Sequence, residues 1–179
     1  MTDLDRTLLD GIATVGPNYA VIDAARSPRI LPLLKTNPAG HFCLYQGKKQ
    51  KELAYYAPYL VQVAPADPWT HELLRKGWGK SWGVFVVAPP GSTEILRLHL
   101  RKMLFVKDSQ QREAYFRYYD PRVLRTFLPA CTSAEASQFF GPIQGFLLEG
   151  ETPQDLLFFR KKADGIEKLT ATIRPTVDV

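Results

Sequence analysis

The stretch FRYYDPRVLRTFLP, Phe116 to Pro129, carries three arginines, one aspartate and two tyrosines ahead of an apolar stripe. Asp120 followed by Pro121 predicts a helix start. The carboxylate can accept the open first-turn N–H groups, and proline presets φ where no donor is needed. Val123, Leu124, Phe127 and Leu128 recur at helical spacing and give that helix its core face. The residues before Asp120 read as a strand. Its alternation would place Tyr115, Arg117 and Tyr119 on one face, with Phe116 and Tyr118 on the other. Arg117 then suits an ion pair with a carboxylate under the sheet. Arg122 and Arg125 fall early in the helix, where the dipole disfavours a cation. A cation in that position serves either the structure or recognition of a partner, and for Arg122 both readings stay open.

The same Asp-Pro start recurs in DPWTHELLRKG, at Asp67 and Pro68. Arg75 and Lys76 suit the negative end of that helix, and Gly77 is expected to close it in the left-handed region. STEILRLHLRKML (92–104) predicts a helix with Leu96, Leu100 and Met103 inward and Glu94, Arg97 and Arg101 in water. LFVKD and AYFRYY (114–119) read as a hairpin around SQQRE. Strands are expected at YAVIDA (19–24), HFCLY (41–45), YLVQV (59–63), SWGVFVV (81–87), GFLLEG and DLLFFRKK. Leu4, Leu8 and Ile12 mark a short N-terminal helix. Ser27 and Pro28 begin another, which Pro32 should bend or shorten. TSAE (132–135) has capping-box spacing, and Gly141-Pro142 stops the helix that follows. Together these predict a mixed α/β or α+β domain. It has a mixed β-sheet with an antiparallel hairpin, flanked by short helices. One domain is expected over residues 1–161, followed by a polar, mobile tail over 162–179.

The chain has 179 residues, 45% of them hydrophobic, which is enough for a sizeable core. Its formal charge of +5 permits an acidic partner or nucleic acid without demanding either. Cys43 and Cys131 lie far apart, outside any CxxC spacing, and read as reduced thiols. The acidic start MTDLDRTLLDG lacks the basic region of a signal peptide, and no apolar run approaches the ~20 residues of a membrane span. A cytoplasmic location without membrane contact is expected.

Chemistry-bearing motifs are sparse. GWGKS (77–81) contains Gly79-Lys80-Ser81, the end of a phosphate-binding loop. The glycine required five residues earlier is Leu74, and a helix precedes where a strand is needed. His41, His71 and His99 have no ligand spacing, so no metal site, cofactor site or catalytic residue is assigned. The basic runs GKKQK (47–51) and RKK (160–162), with Tyr55, Tyr56 and Tyr59 after the first, read as solvated turns rather than a nucleic-acid surface.

GWGKSWGVFVVAP, the hydrophobic-basic helix after it, the hairpin, FRYYDPRVL and FFGPI form an ordered set. With YAVIDAA and YLVQVAP, this set resembles the type VI secretion effector-chaperone family, the Tap or Tec adaptors with domain of unknown function 4123. The resemblance runs from about Tyr19 to Glu149. It implies a non-enzymatic bacterial chaperone that binds a toxic effector and helps load it onto the VgrG spike. The alternative is a small enzyme or nucleotide-handling domain on a similar scaffold. The family signature falls on Trp78, Gly79, Ser81, Trp82, Arg117, Tyr119, Asp120, Pro121 and Arg122. Trp78, Trp82, Arg117, Tyr119, Arg122 and Arg125 are the residues expected to form or support the protein-binding face. Many members continue into a further C-terminal lobe. This sequence ends about thirty residues past the shared region, so effector choice would fall to the core, the tail or another protein.

Overall fold

The computed structural model describes residues 3–107, 110 and 112–173. Its centre is a seven-stranded sheet: β1 (Tyr19–Asp23), β2 (His41–Cys43), β3 (Pro58–Gln62), β4 (Gly83–Val87), β7 (Gly145–Glu149), β8 (Asp155–Lys162) and β9 (Gly165–Thr172). The spatial order is β2-β3-β1-β4-β7-β8-β9. β5 (Phe105–Lys107) and β6 (Glu113–Tyr115) form a separate small hairpin. The class is the mixed α+β expected, but the large sheet is not the mixed sheet expected, because every pairing in it is antiparallel.

Helices cover both faces. On one side lie α1 (Asp3–Val15), α2 (Ile30–Leu34) and α4 (Pro68–Gly77), which bring Leu8, Ile12, Ile30, Leu34, Trp69 and Leu73 against Ala20, Ile22, Val61 and Phe85. On the other lie α5 (Thr93–Met103), α6 (Pro121–Ala130) and α7 (Ser133–Phe140). These bring Leu96, Leu100, Leu124, Leu128 and Phe140 against Val21, Val84, Val86 and Phe146. Strands buried on both faces read as continuous apolar runs, which is why GVFVV and GFLLE show no alternation. The remaining helix, α3 (Gly47–Glu52), buries none of its residues.

Local rules placed most boundaries. The Asp67 side chain accepts from Thr70 N at 3.2 Å, and Thr132 and Glu135 make the full capping box. α2 is five residues long, and Pro32 sits in its first turn, where the missing donor costs little. Leu8 and Ile12 are buried as expected, while the Leu4 side chain lies outside those described.

Three further expectations are corrected. β6 stops at Tyr115, so Phe116–Tyr119 is not strand. The chain turns there, with Asp120 N bonded to Arg117 O, and Tyr118 and Tyr119 are both buried. Burial of two adjacent aromatic rings outweighs the local pattern, and the Tyr118 hydroxyl donates to Leu100 O at 3.0 Å. Gly77 does not end α4 in the left-handed region; Trp78 is the cap, and positive φ falls instead on Gly79 and Ser81. Gly77 is small for a different reason: a Cβ there would lie 2.7 Å from the Trp82 ring. Finally, residues 165–172 of the expected tail form β9, paired along its length with β8 through a two-residue turn at Ala163-Asp164. β9 is an edge strand with mostly exposed side chains, so it lacks the apolar pattern that marks an inner strand. Residues 174–179 lie outside those described.

Candidate functional site

One end of the sheet gathers three buried carboxylates. β1 ends at Asp23, β4 begins at Gly83 opposite Ile22, and β7, the next strand along, ends at Glu149. Asp120 caps α6 above them. Their residues are 1%, 7% and 3% exposed for Asp23, Glu149 and Asp120, so each needs an internal partner.

Each has one. Asp23 accepts Ala25 N at 3.0 Å and Arg117 Nη2 at 2.6 Å. Burial raises the Asp23 carboxyl above its ordinary range; Arg117 opposes the shift without cancelling it. Arg117 moves upward too, because the bond to Asp23 and its charge outweigh burial. Asp120 Oδ1 accepts Arg122 N and Nε, both at 3.0 Å, and Oδ2 accepts Arg122 Nη2 at 2.6 Å. Burial alone would raise Asp120. The Arg122 guanidinium and backbone N–H outweigh it and hold the carboxyl below its ordinary range, helped by the charge of Arg26. Arg122 is therefore not an uncompensated cation at a helix start; its own cap residue neutralises it.

Glu149 is held by the turn that resembled a phosphate loop. Gly79 N donates to Oε2 at 2.5 Å, while Ser81 N and Oγ donate to Oε1 at 2.8 and 2.9 Å. Gly79 has φ +75° and Ser81 φ +55°, and such residues turn backbone N–H groups into a concave anion site. The anion in it is the protein's own carboxylate. The turn is further tied to the loop after β7 by Trp78 Nε1, which donates to Pro153 O at 2.7 Å. Arg125 Nη1 donates to Gly150 O at 2.7 Å in the same loop.

The aromatic side of the cluster is a phenol chain. The Tyr45 and Tyr115 hydroxyls are 2.8 Å apart, those of Tyr115 and Tyr119 2.9 Å, and Arg117 lies 5.9 Å from the Tyr119 ring centre. Burial pushes both the Tyr115 and Tyr119 phenols well upward, so they remain neutral hydrogen-bonding struts at physiological pH.

The residues singled out from sequence lie about forty positions apart and on opposite faces of the sheet, Trp78 and Trp82 on the α4 side and Tyr119 on the α6 side, and Trp78 and Arg125 both bond the loop after β7. They divide by access. The Arg117 and Arg122 side chains keep 41% and 48% of their surface open, and Trp78 and Arg125 are half-buried. Trp82 and Tyr119 are buried and act as framework. Asp23 and Glu149 were not singled out, and the only signal for either was a lone acid closing an apolar run. The histidines stay scattered: His71 Nε2 is 2.5 Å from Pro65 O, His99 Nε2 is 2.8 Å from Phe139 O, and His41 packs against Tyr59. Among the described residues no group of three or more His, Cys, Asp or Glu is placed to hold a metal. Cys43 and Cys131 are free thiols. No described helix is long and apolar enough to cross a membrane.

No curated protein and no solved structure matches the chain. A family model described as a domain of unknown function (DUF4123) matches residues 18–138. The matched region opens just before β1 and ends inside α7; it holds Asp23, the GWGKS turn and the 117–125 arginines. FFGPI and Glu149 lie beyond it. Matched over about two thirds of its length, the chain belongs to the DUF4123 family, the Tap/Tec-type adaptors of type VI secretion effectors.

Proposed function

We propose that this chain is a non-enzymatic adaptor that binds a type VI effector in the cytoplasm and helps load it onto the VgrG spike. The observation that carries the reading is the family match over residues 18–138. The site is compatible with it. Arg117 and Arg122 are fixed by internal carboxylates yet half-open, so their remaining N–H groups are oriented before a partner arrives. Arg122 commits Nε and Nη2 to Asp120, leaving Nη1 for a partner carbonyl or carboxylate. In this reading Arg117, Arg122, Arg125 and Trp78 form the accessible face, and Trp82 and Tyr119 hold it in shape. The nucleotide-handling alternative loses its one motif, because a phosphate at the GWGKS turn would have to displace Glu149.

The reading is tested by deleting the gene in the producing bacterium. Export of the cognate effector should cease while an independently loaded effector is still exported, and the intact chain should restore it. Undiminished export of the cognate effector would refute the assignment.

A further inference from the structure

The two edges of the large sheet end differently. β2 is three residues long, and its Cys43 carbonyl accepts Arg101 Nη2 at 2.9 Å. β9 is eight residues long, contains no proline and pairs with β8 one-to-one, without a bulge. Among the described residues nothing but β8 bonds the backbone of 165–172. Its outer N–H and C=O groups are open along the strand, and a further strand is what satisfies such a row.

The side chains narrow the choice of strand. An apolar row crosses one face of the sheet through directly opposed residues: Val61, Ala20, Phe85, Leu147, Phe158 and Leu169. The first four are buried, Phe158 is half-buried, and Leu169 is 45% exposed. At the β2 edge this row closes on His41, opposite Val61. On the other face the row Val86, Phe146, Phe159 closes on Lys168, a charge of the kind that guards an edge. The row at Leu169 has no such end. It stops on a large aliphatic side chain in water, at an open backbone edge.

We propose that β9 pairs antiparallel with β9 of a second copy of this chain, with Leu169 on the two-fold axis, so that two sheets become one. A two-fold joint that keeps the helices on their own faces sets one residue of β9 opposite itself. Glu167 or Lys168 on the axis would oppose like charges. Ile166 there would run the ladder into the Ala163-Asp164 turn, and Thr170 or a later residue would shorten it. Leu169 is the centre of 166–172. With it on the axis, Lys168 meets Thr170, Glu167 meets Ala171 and Ile166 meets Thr172, with no like charges directly opposed. The apolar row then runs from Phe158 through two leucines to Phe158 of the second copy. Glu167 brings no free charge to the joint, since Arg160 and Lys162 of its own hairpin pair with it. Nothing in this joint depends on the adaptor reading.

Cysteine crosslinking reads the register. Opposed residues of an antiparallel pair have Cα atoms about 4.5–5.5 Å apart, within disulfide reach. Under mild oxidation Leu169→Cys should give a disulfide-linked dimer that the parent, with Cys43 and Cys131, does not. Glu167→Cys and Ala171→Cys should stay unlinked when separate and link to each other when mixed. Sedimentation equilibrium of the parent should show a dimer that grows with concentration, because one strand pair is a small interface. Leu169→Lys sets like charges on the axis and should raise the dimer dissociation constant by about tenfold or more, with melting curves confirming that the variant folds. A parent that stays monomeric at the highest attainable concentration overturns the proposal. So does a dimer that Leu169→Lys leaves intact, or one whose cysteine links peak at another residue. If the chain alone is monomeric and Leu169→Cys links instead to a cysteine of the purified effector, the edge belongs to a strand of that protein and the second copy is excluded.

Discussion

Arg122 closes its guanidinium on the carboxylate of Asp120, the residue that caps the helix on which Arg122 itself sits. From sequence, a cation at that position looks unfavourable, and Arg122→Glu looks neutral or slightly stabilising. The pairing reverses the sign. A glutamate there would face a buried carboxylate that has lost its guanidinium. Arg122→Ala should cost roughly 1 kcal/mol, limited by solvent screening of the half-exposed side chain. Arg122→Glu should cost more, and thermal melts at rising salt should shrink the gap between the two variants.

The two Asp-Pro helix starts separate in the same assay. Asp67→Ala and Asp120→Ala each remove a cap and should cost roughly 0.5–2 kcal/mol. Asp120→Ala should be the larger loss, because it also strands Arg122. Equal melting of both variants with the parent would refute the capping account.

Acid titration should split two carboxylates of the cluster. Asp120 is held below its ordinary value of 3.8, so its contribution is full above that pH and disappears as pH falls through the folded value. Asp120→Asn should therefore differ from the parent more at pH 6 than at pH 2.5. Asp23 is raised above 3.8, so the folded state binds its proton more tightly, and stability declines as pH rises from 3.8 through the folded value. Asp23→Asn should gain on the parent across that window. Denaturant melts at several pH values read both slopes.

Glu149→Ala should loosen the GWGKS turn. It leaves Gly79 N, Ser81 N and Ser81 Oγ without their acceptor, at about 1–3 kcal/mol, less wherever water reaches them. Amide exchange at Gly79 and Ser81 should quicken. Glu149→Gln, which keeps one acceptor oxygen, should fall between parent and alanine.

Much of this framework was legible in residues whose effect is local. Asp67, Asp120 and the Thr132–Glu135 box act within one helical turn, so their motifs could be read directly. The apolar runs at 83–87 and 145–149 announced buried strands. Misreadings arose where distant residues decide. Tyr118 is buried against Leu100 and Phe139 as well as its neighbours Phe116 and Tyr119, and strand alternation failed at Phe116–Tyr119. β9 owes its existence to pairing with β8, and its own sequence is polar. Arg117 could be expected to meet a carboxylate, but Asp23 lies ninety-four residues away. Glu149 was silent because nothing in GFLLEG names the turn it fills.

The central claim is that this fold exists to hold another protein. Its most direct measurement is calorimetric titration of the purified chain with its purified effector and with the spike protein, run beside thermal melts with and without magnesium–ATP. The account predicts a saturable complex with the effector and a melting temperature that rises with effector concentration, since a ligand that prefers the native state stabilises it. Magnesium–ATP should leave the melt unchanged. No complex with either protein, together with stabilisation by the nucleotide, would contradict it.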